Sequence, residues 1–213
     1  ITDGTPLSAL PAAFRDFPFL DKLELDQFAG PEAQIAALAD DIAYNNHDID
    51  DGIAAGLFTI DDMLHLPVVG DVFRSVRLEH PVLDTQRTVY EAVRRLIGLW
   101  IGDLIEETER RVARHNPQSA AEVRALPEPL VAFSEDFDMQ QRALRAFLFE
   151  RMYKHYKVNR MRSQAKRVLK ELFELFLAEP DILPPPLRQD AEQAPEARRA
   201  RLVCDYIAGM TDN

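Results

Sequence analysis

The stretch whose reading decides the fold is residues 31–56, "PEAQIAALADDIAYNNHDIDDGIAAG". Pro31 suits a first helical position, where its missing N–H leaves no bond unmade, and Gly56 suits a left-handed stop. Residues between them are placed on a wheel at about 100° per residue, with Asp40 at zero. Tyr44, His47, Asp48 and Asp51 then fall within a sector of about 100°. Ile35, Leu38, Ile42, Ile49 and Ile53 fall on the opposite side. The pattern predicts one amphipathic helix from Pro31 to Ala55, with an aliphatic face on a core and an acidic face of its own.

The same period continues along the chain. Residues 1–30, with Pro6, Pro11, Pro18, Phe14, Phe17 and Phe19, show no helical period and are read as an extended arm. Thr59 with Asp62 resembles a capping box, with Asp in place of Glu. Short helices are expected up to His65 and over 69–79. Val89, Val93, Leu96, Trp100 and Leu104 recur at helical spacing within 82–115, and Pro117 ends that run. Ser119 can cap a short helix before Pro127. Residues 137–178 read as one or two helices stopped by Pro180. Pro184, Pro185 and Pro186 suggest a rigid linker. A last helix is expected from Pro195 to Ala208. There is no alternating strand run, so the fold class is all-α. The expected organisation is an arm (1–30), part of a helical core (31–115) and a helical C-terminal region (116–213).

Composition narrows the function classes. The 213 residues carry a formal net charge of −11, which disfavours a general binder of nucleic acid or anionic membrane. One cysteine, Cys204, excludes an internal disulfide framework and fits a reducing, cytoplasmic compartment. No apolar run approaches the roughly 18 residues that a membrane span needs. The chain begins with Ile1, and we expect a fragment or processed chain.

The acidic face admits two readings. One is a solvated surface. The other starts from Asp40, Tyr44 and Asp48 at i, i+4 and i+8, where stacked like charges gain nothing without a cation or a hydrogen-bonding ligand. Asp40 and Asp48 lie roughly 12 Å apart along the axis, at about 1.5 Å per residue. A nucleotide spans that distance.

Asp40, three residues, Tyr44, three residues, Asp48 resembles the pattern of the HD-domain deoxynucleoside triphosphate triphosphohydrolases, the dGTPase family. "ADDIAYNNHDIDDG" at 39–52, followed by "AGLF" at 55–58, looks like its bacterial branch. "FLFERMYKHYKVNRMRSQAKRV", "LFELFLAEPDILP" and "CDYIAGMTD" resemble the family's C-terminal helical region. The resemblance covers nearly the whole chain from about residue 24. It implies hydrolysis of a dNTP to a deoxynucleoside and inorganic triphosphate at a divalent metal, Mg2+ or Mn2+. It also implies oligomers. Residue by residue, it makes Asp40 a metal ligand, Tyr44 a side chain packed near the sugar, and Asp48 the acceptor for the 3′-hydroxyl. The family's upstream histidine and His-Asp pair have no counterpart here, since no histidine precedes His47. The adjacent His47 and Asp48 form a tempting alternative pair. The resemblance therefore implies a C-terminal portion, with no catalytic acid or base of its own and its remaining ligands on an absent N-terminal segment or a companion chain.

Residues 151–171 hold eight basic side chains against one acid, Glu171. Arg160, Arg162, Lys166 and Arg167 are candidate contacts for phosphate, an effector nucleotide or single-stranded nucleic acid. The alternative is a solvated face paired with acids such as Glu106, Glu107 and Glu109. Tyr153 and Tyr156 can stack bases or pack as boundary residues. His65, His80, His115 and His155 have no ligand spacing. Two other functions stay open: a non-catalytic helical regulator that binds nucleotide or protein, and another HD-type phosphohydrolase.

Overall fold

A computed structural model describes Phe19, Lys22 and residues 24–210. Most of the expected arm, including Pro6, Pro11, Phe14, Phe17 and Pro18, lies outside the described residues. Among the described residues there is no β-strand, as the helical period predicts. They fall into two compact units, divided between Met152 and Tyr153.

The first unit opens on α1, Pro31–Ala54, with Gly30 at its N-cap and Gly56 just beyond it at a φ of 63°. Only glycine adopts that left-handed backbone without strain. α2, Ile60–Met63, begins with the expected capping box: Thr59 and Asp62 each bond the other's backbone N–H. α3 is Val69–Glu79, and α4 is Thr85–His115. Asp84 caps the start of α4, and Asn116 ends it in the left-handed conformation before Pro117. α5, Ala120–Arg124, is capped by Ser119. α6, Glu135–Leu148, is capped by Ser134 and followed by a π-helical turn, Phe149–Tyr153.

α1 packs against α4 and α6, and α3 packs against α4. Ile42 and Ile49 of α1 are buried at 3% and 0% exposure. Each aliphatic side chain contributes about 1.5–3 kcal/mol when fully removed from water. Trp100 of α4 is fully buried, edge-on to Phe133 and Phe137 with ring centroids 6.3 and 5.2 Å away. The expected aliphatic face of α1 is only partly buried. Ile35 remains 50% exposed, because the first turns of α1 border an open groove beside α4 instead of the core.

The second unit contains α7, Tyr156–Ala178, a 3-10 turn at Pro180–Ile182, α8, Pro185–Gln193, and α9, Glu196–Ala208. Its core is Leu183, Ala191 and Val203, with Phe173, Phe176 and Tyr206 packed against it. The proline run is not a linker. Pro184 is the N-cap of α8, with Pro185 and Pro186 in its first turn, where no intrahelical N–H bond is lost.

Candidate functional site

α1 presents the three residues of the expected line at two levels of burial. Asp40 is exposed, Tyr44 is 61% exposed, and Asp48 is 7% exposed. Successive members stand one turn apart on one side of a single helix, so the expected Asp-Tyr-Asp line is present. The acidic face is not uniformly solvated. Asp48 sits at about 80° on the wheel, at the margin of the buried sector that includes Asn45, Ile49 and Gly52. A carboxylate withdrawn from water is costly unless it meets donors, so Asp48 is the acid of this face least suited to mere solubility.

His47 and Asp48 differ in burial: His47 is exposed while Asp48 is buried, as neighbours in sequence point about 100° apart on a helix. Among the described residues, no group of three or more His, Cys, Asp or Glu side chains is placed to hold a metal ion. The described residues thus do not form a metal centre by themselves. Asp40 is one exposed carboxylate, suited to a hard or borderline divalent cation only if further donors come from elsewhere.

What fixes this helix is a set of buried amides. Asn45 Nδ2 donates to Gln141 Oε1 of α6 at 2.7 Å. Gln34 bridges two segments: its Nε2 donates to the Ala29 carbonyl at 2.7 Å, and its Oε1 accepts from the Val131 N–H at 2.9 Å. Asn46 Nδ2 donates back to the Ile42 carbonyl at 2.7 Å. Arg145 of α6 also reaches Asp41 at 3.2 Å. Sequence reasoning missed these positioning residues. Asn45 and Asn46 carried a weak signal, as polar side chains on the core side of the wheel. Gln141 carried none.

Other charges are set by local partners. The Thr59 backbone N–H and then its hydroxyl lower the Asp62 carboxyl below its usual range, and Arg151 approaches it at 3.2 Å. The His115 side chain, bonded at 2.8 Å, is the main reason that Glu128 is lowered. Neither group neighbours Asp40 or Asp48 in sequence.

The basic candidates lie on α7 of the second unit, and all four are exposed. They do not share one face. At about 100° per residue, Arg160 and Arg167 project on one side and Arg162 and Lys166 on the other. The Arg160 guanidinium lies over the Tyr156 ring, 6.0 Å from its centroid. Glu107, one of the acids weighed as a partner for this segment, is engaged on its own helix by Arg111 at 2.8 Å. Cys204 is exposed. No helix among the described residues is long and apolar enough to cross a membrane.

Residues 131–213 match the family model of a phosphohydrolase-associated domain. A deoxyguanosinetriphosphate triphosphohydrolase-like protein of Parvibaculum lavamentivorans is 52% identical over 212 residues, covering 100% of this chain and 54% of the relative. A protein of the same name from Caulobacter vibrioides is 54% identical over 191 residues, covering 90% of this chain and 48% of the relative. A third, from Azorhizobium caulinodans, is 46% identical over 213 residues, covering 98% of this chain and 53% of the relative. The chain spans about half the length of these curated relatives and matches their C-terminal part.

Proposed function

The chain belongs to the family of deoxyguanosinetriphosphate triphosphohydrolase-like proteins, and on that premise we propose that it supplies the sugar pocket and one metal ligand of a deoxynucleoside triphosphate triphosphohydrolase. The observation that carries the reading is the Asp40–Tyr44–Asp48 line on α1, exposed at Asp40 and Tyr44 and buried at Asp48. In this reading Asp48 accepts a hydrogen bond from the 3′-hydroxyl. A ligand that lacks the hydroxyl forfeits that bond and is discriminated against. Tyr44 lays its exposed ring along the deoxyribose. Asp40 ligates a divalent cation, Mg2+ or Mn2+, together with a histidine and a His-Asp pair from protein outside this chain. Those outside residues also provide the catalytic acid or base. α1 itself acts as a ruler, holding the sugar acceptor roughly 12 Å from the metal ligand along its axis.

Arg160, Arg162, Lys166 and Arg167 supply phosphate or effector contacts in the same proposal, as two pairs on opposite sides of α7. The enzyme works as a homo-oligomer in the cytoplasm.

Product analysis tests the reading. The complete protein, containing this chain, is incubated with dGTP and Mg2+ or Mn2+. Release of deoxyguanosine and inorganic triphosphate is the expected result. Release of phosphate or pyrophosphate overturns it in favour of another phosphohydrolase, and no turnover of any dNTP overturns it in favour of a regulator.

A further inference from the structure

α7 carries an apolar stripe that stands open to solvent. Val158, Met161, Ala165, Val168, Leu172 and Leu175 follow one another at alternating steps of three and four. They therefore fall within about 100° of the helix surface. No residue of α7 is buried, and every residue from 159 to 171 is exposed. Met161, Val168 and Leu175 are 65%, 48% and 42% exposed. The core of the second unit takes the adjoining side of the helix, through Phe173 and Phe176. A stripe of this width ordinarily faces a core, and one that runs in water for about five turns marks an interaction surface.

Charge identifies the occupant. From Tyr156 to Lys170 the helix bears Lys157, Arg160, Arg162, Lys166, Arg167 and Lys170, and no acid. From there to its C-cap it bears Glu171, Glu174 and Glu179, and no base. One end of α7 is basic and the other acidic. A second α7 laid antiparallel sets the basic end of each copy beside the acidic end of the other, and it covers both stripes. A parallel copy sets basic against basic, and an anionic membrane or nucleic acid meets repulsion at the acidic end. We propose that α7 is a self-pairing helix, through which two copies of this chain join antiparallel along the stripe. The two-fold axis passes between positions 166 and 167. Met161 then packs against the partner's Leu172, and Ala165 against the partner's Val168. Such an interface is isologous, one patch meeting itself, and packs as knobs into holes over the short span of the three-four spacing. Arg160, Lys166 and Arg167 lie off the stripe and stay open for the phosphate contacts proposed above. The inference goes beyond the proposed function, which names no contact surface, and its tests read association instead of turnover.

Sedimentation velocity of the 213-residue chain is expected to show dimers that dissociate on dilution. Val168→Asp, at an exposed position, should weaken the dimer by about tenfold or more, while Ser163→Asp, on the opposite side of α7, leaves it within about twofold. A charge exchange keeps the test decisive if Val168→Asp misfolds. Lys157→Glu and Glu171→Lys should each weaken self-association by about fivefold or more. An equimolar mixture of these two variants should regain the affinity of the unmodified chain, which misfolded variants would not do.

Cross-linking reads the orientation. In a Cys204→Ser background, Val168→Cys is expected to form a disulfide-linked dimer with copper phenanthroline as oxidant, and Leu175→Cys is not. The axis holds the two copies of position 175 roughly 25 Å apart along the helices, at about 1.5 Å per residue. Rapid linkage at 175 shows parallel copies and overturns the inference. A chain that stays monomeric overturns it, as does a dimer indifferent to both Val168→Asp and the charge exchange. A monomer that binds phosphatidylglycerol vesicles through Val168 overturns it in favour of a membrane surface. The two readings fail separately. Dimers without dNTP hydrolysis by the complete protein sink the proposed function alone, and hydrolysis without pairing through α7 sinks the pairing alone.

Discussion

Asn45 and Gln141 stand 96 positions apart in sequence and are joined by a buried side-chain hydrogen bond of 2.7 Å. The bond ties α1 to α6 at the residue immediately after Tyr44. It therefore sets how far α1 is rotated, and with it where Tyr44 and Asp48 project. A buried amide left without its partner costs about 1–3 kcal/mol. Asn45→Ala is expected to destabilise the chain by that amount in urea unfolding. The Asn45→Ala, Gln141→Leu double variant should lose less than the sum of the singles, since the second change removes the stranded acceptor. Strict additivity would mean that the bond does not couple the helices.

Tyr44 behaves differently, because its ring is 61% exposed. Tyr44→Ala is expected to leave thermal stability within about 0.5 kcal/mol, as for surface substitutions generally. Under the proposed function, loss of about 1–2 kcal/mol of sugar contact should lower kcat/KM of the complete protein by about 5- to 30-fold. A marked drop in melting temperature with unchanged kinetics would assign Tyr44 to structure instead.

The chain by itself should not hydrolyse dGTP with Mg2+ or Mn2+ present. The physical reason is the single carboxylate at Asp40, with no described cluster of donors to accompany it. Chromatographic detection of triphosphate decides the matter. Robust release by the 213-residue chain alone would show that it holds a complete site.

Acid should loosen the junction of α3 and α4. Arg95 bridges Glu79 and Glu91, each at 2.7 Å. Hydrogen bonds from Arg95 and then Ser75 lower Glu79 from 4.5 to about 2, and bonds from Arg94 and then Arg95 lower Glu91 to about 2. Both carboxyls thus ionise more readily when folded. Their contribution is fully present above 4.5 and is lost as pH falls through about 2. Solvent screening keeps it modest. Urea midpoints measured across that window should fall less steeply for Arg95→Met than for the unmodified chain, and equal slopes would dismiss the clamp.

Two glycines should respond in opposite directions to alanine. A Cβ on Gly70 would meet the Leu64 carbonyl oxygen at 2.2 Å, in the first turn of α3, whose N-cap Val68 already holds a φ of 58°. Overpacking there should cost about 1–3 kcal/mol. A Cβ on Gly98, inside α4, meets nothing within 4 Å, so Gly98→Ala should stabilise by about 0.5–1 kcal/mol. Calorimetric midpoints of the two variants check both signs.

The sequence by itself determined the helices and their ends. Period, caps and stops are local, so Pro31, Gly56, the Thr59–Asp62 box, Ser119 and Pro117 were each legible within a few residues. It also determined the Asp40–Tyr44–Asp48 line, since i, i+4 spacing fixes a shared side on any helix. The triple proline misled because the same residue serves a linker and a first helical turn, and only the packing of Leu183 and Ala191 against Val203 selects the helix. Tertiary structure alone decided which acids are wet. Asp40 and Asp48 look alike in sequence, and burial separates them because α6 and the rest of the core cover one margin of α1. It alone decided that Ile35 stays half-exposed at an open groove while Ile42 and Ile49 are buried. Pairings such as Asn45 with Gln141 depend on how two helices meet, and no periodicity within either helix encodes that meeting.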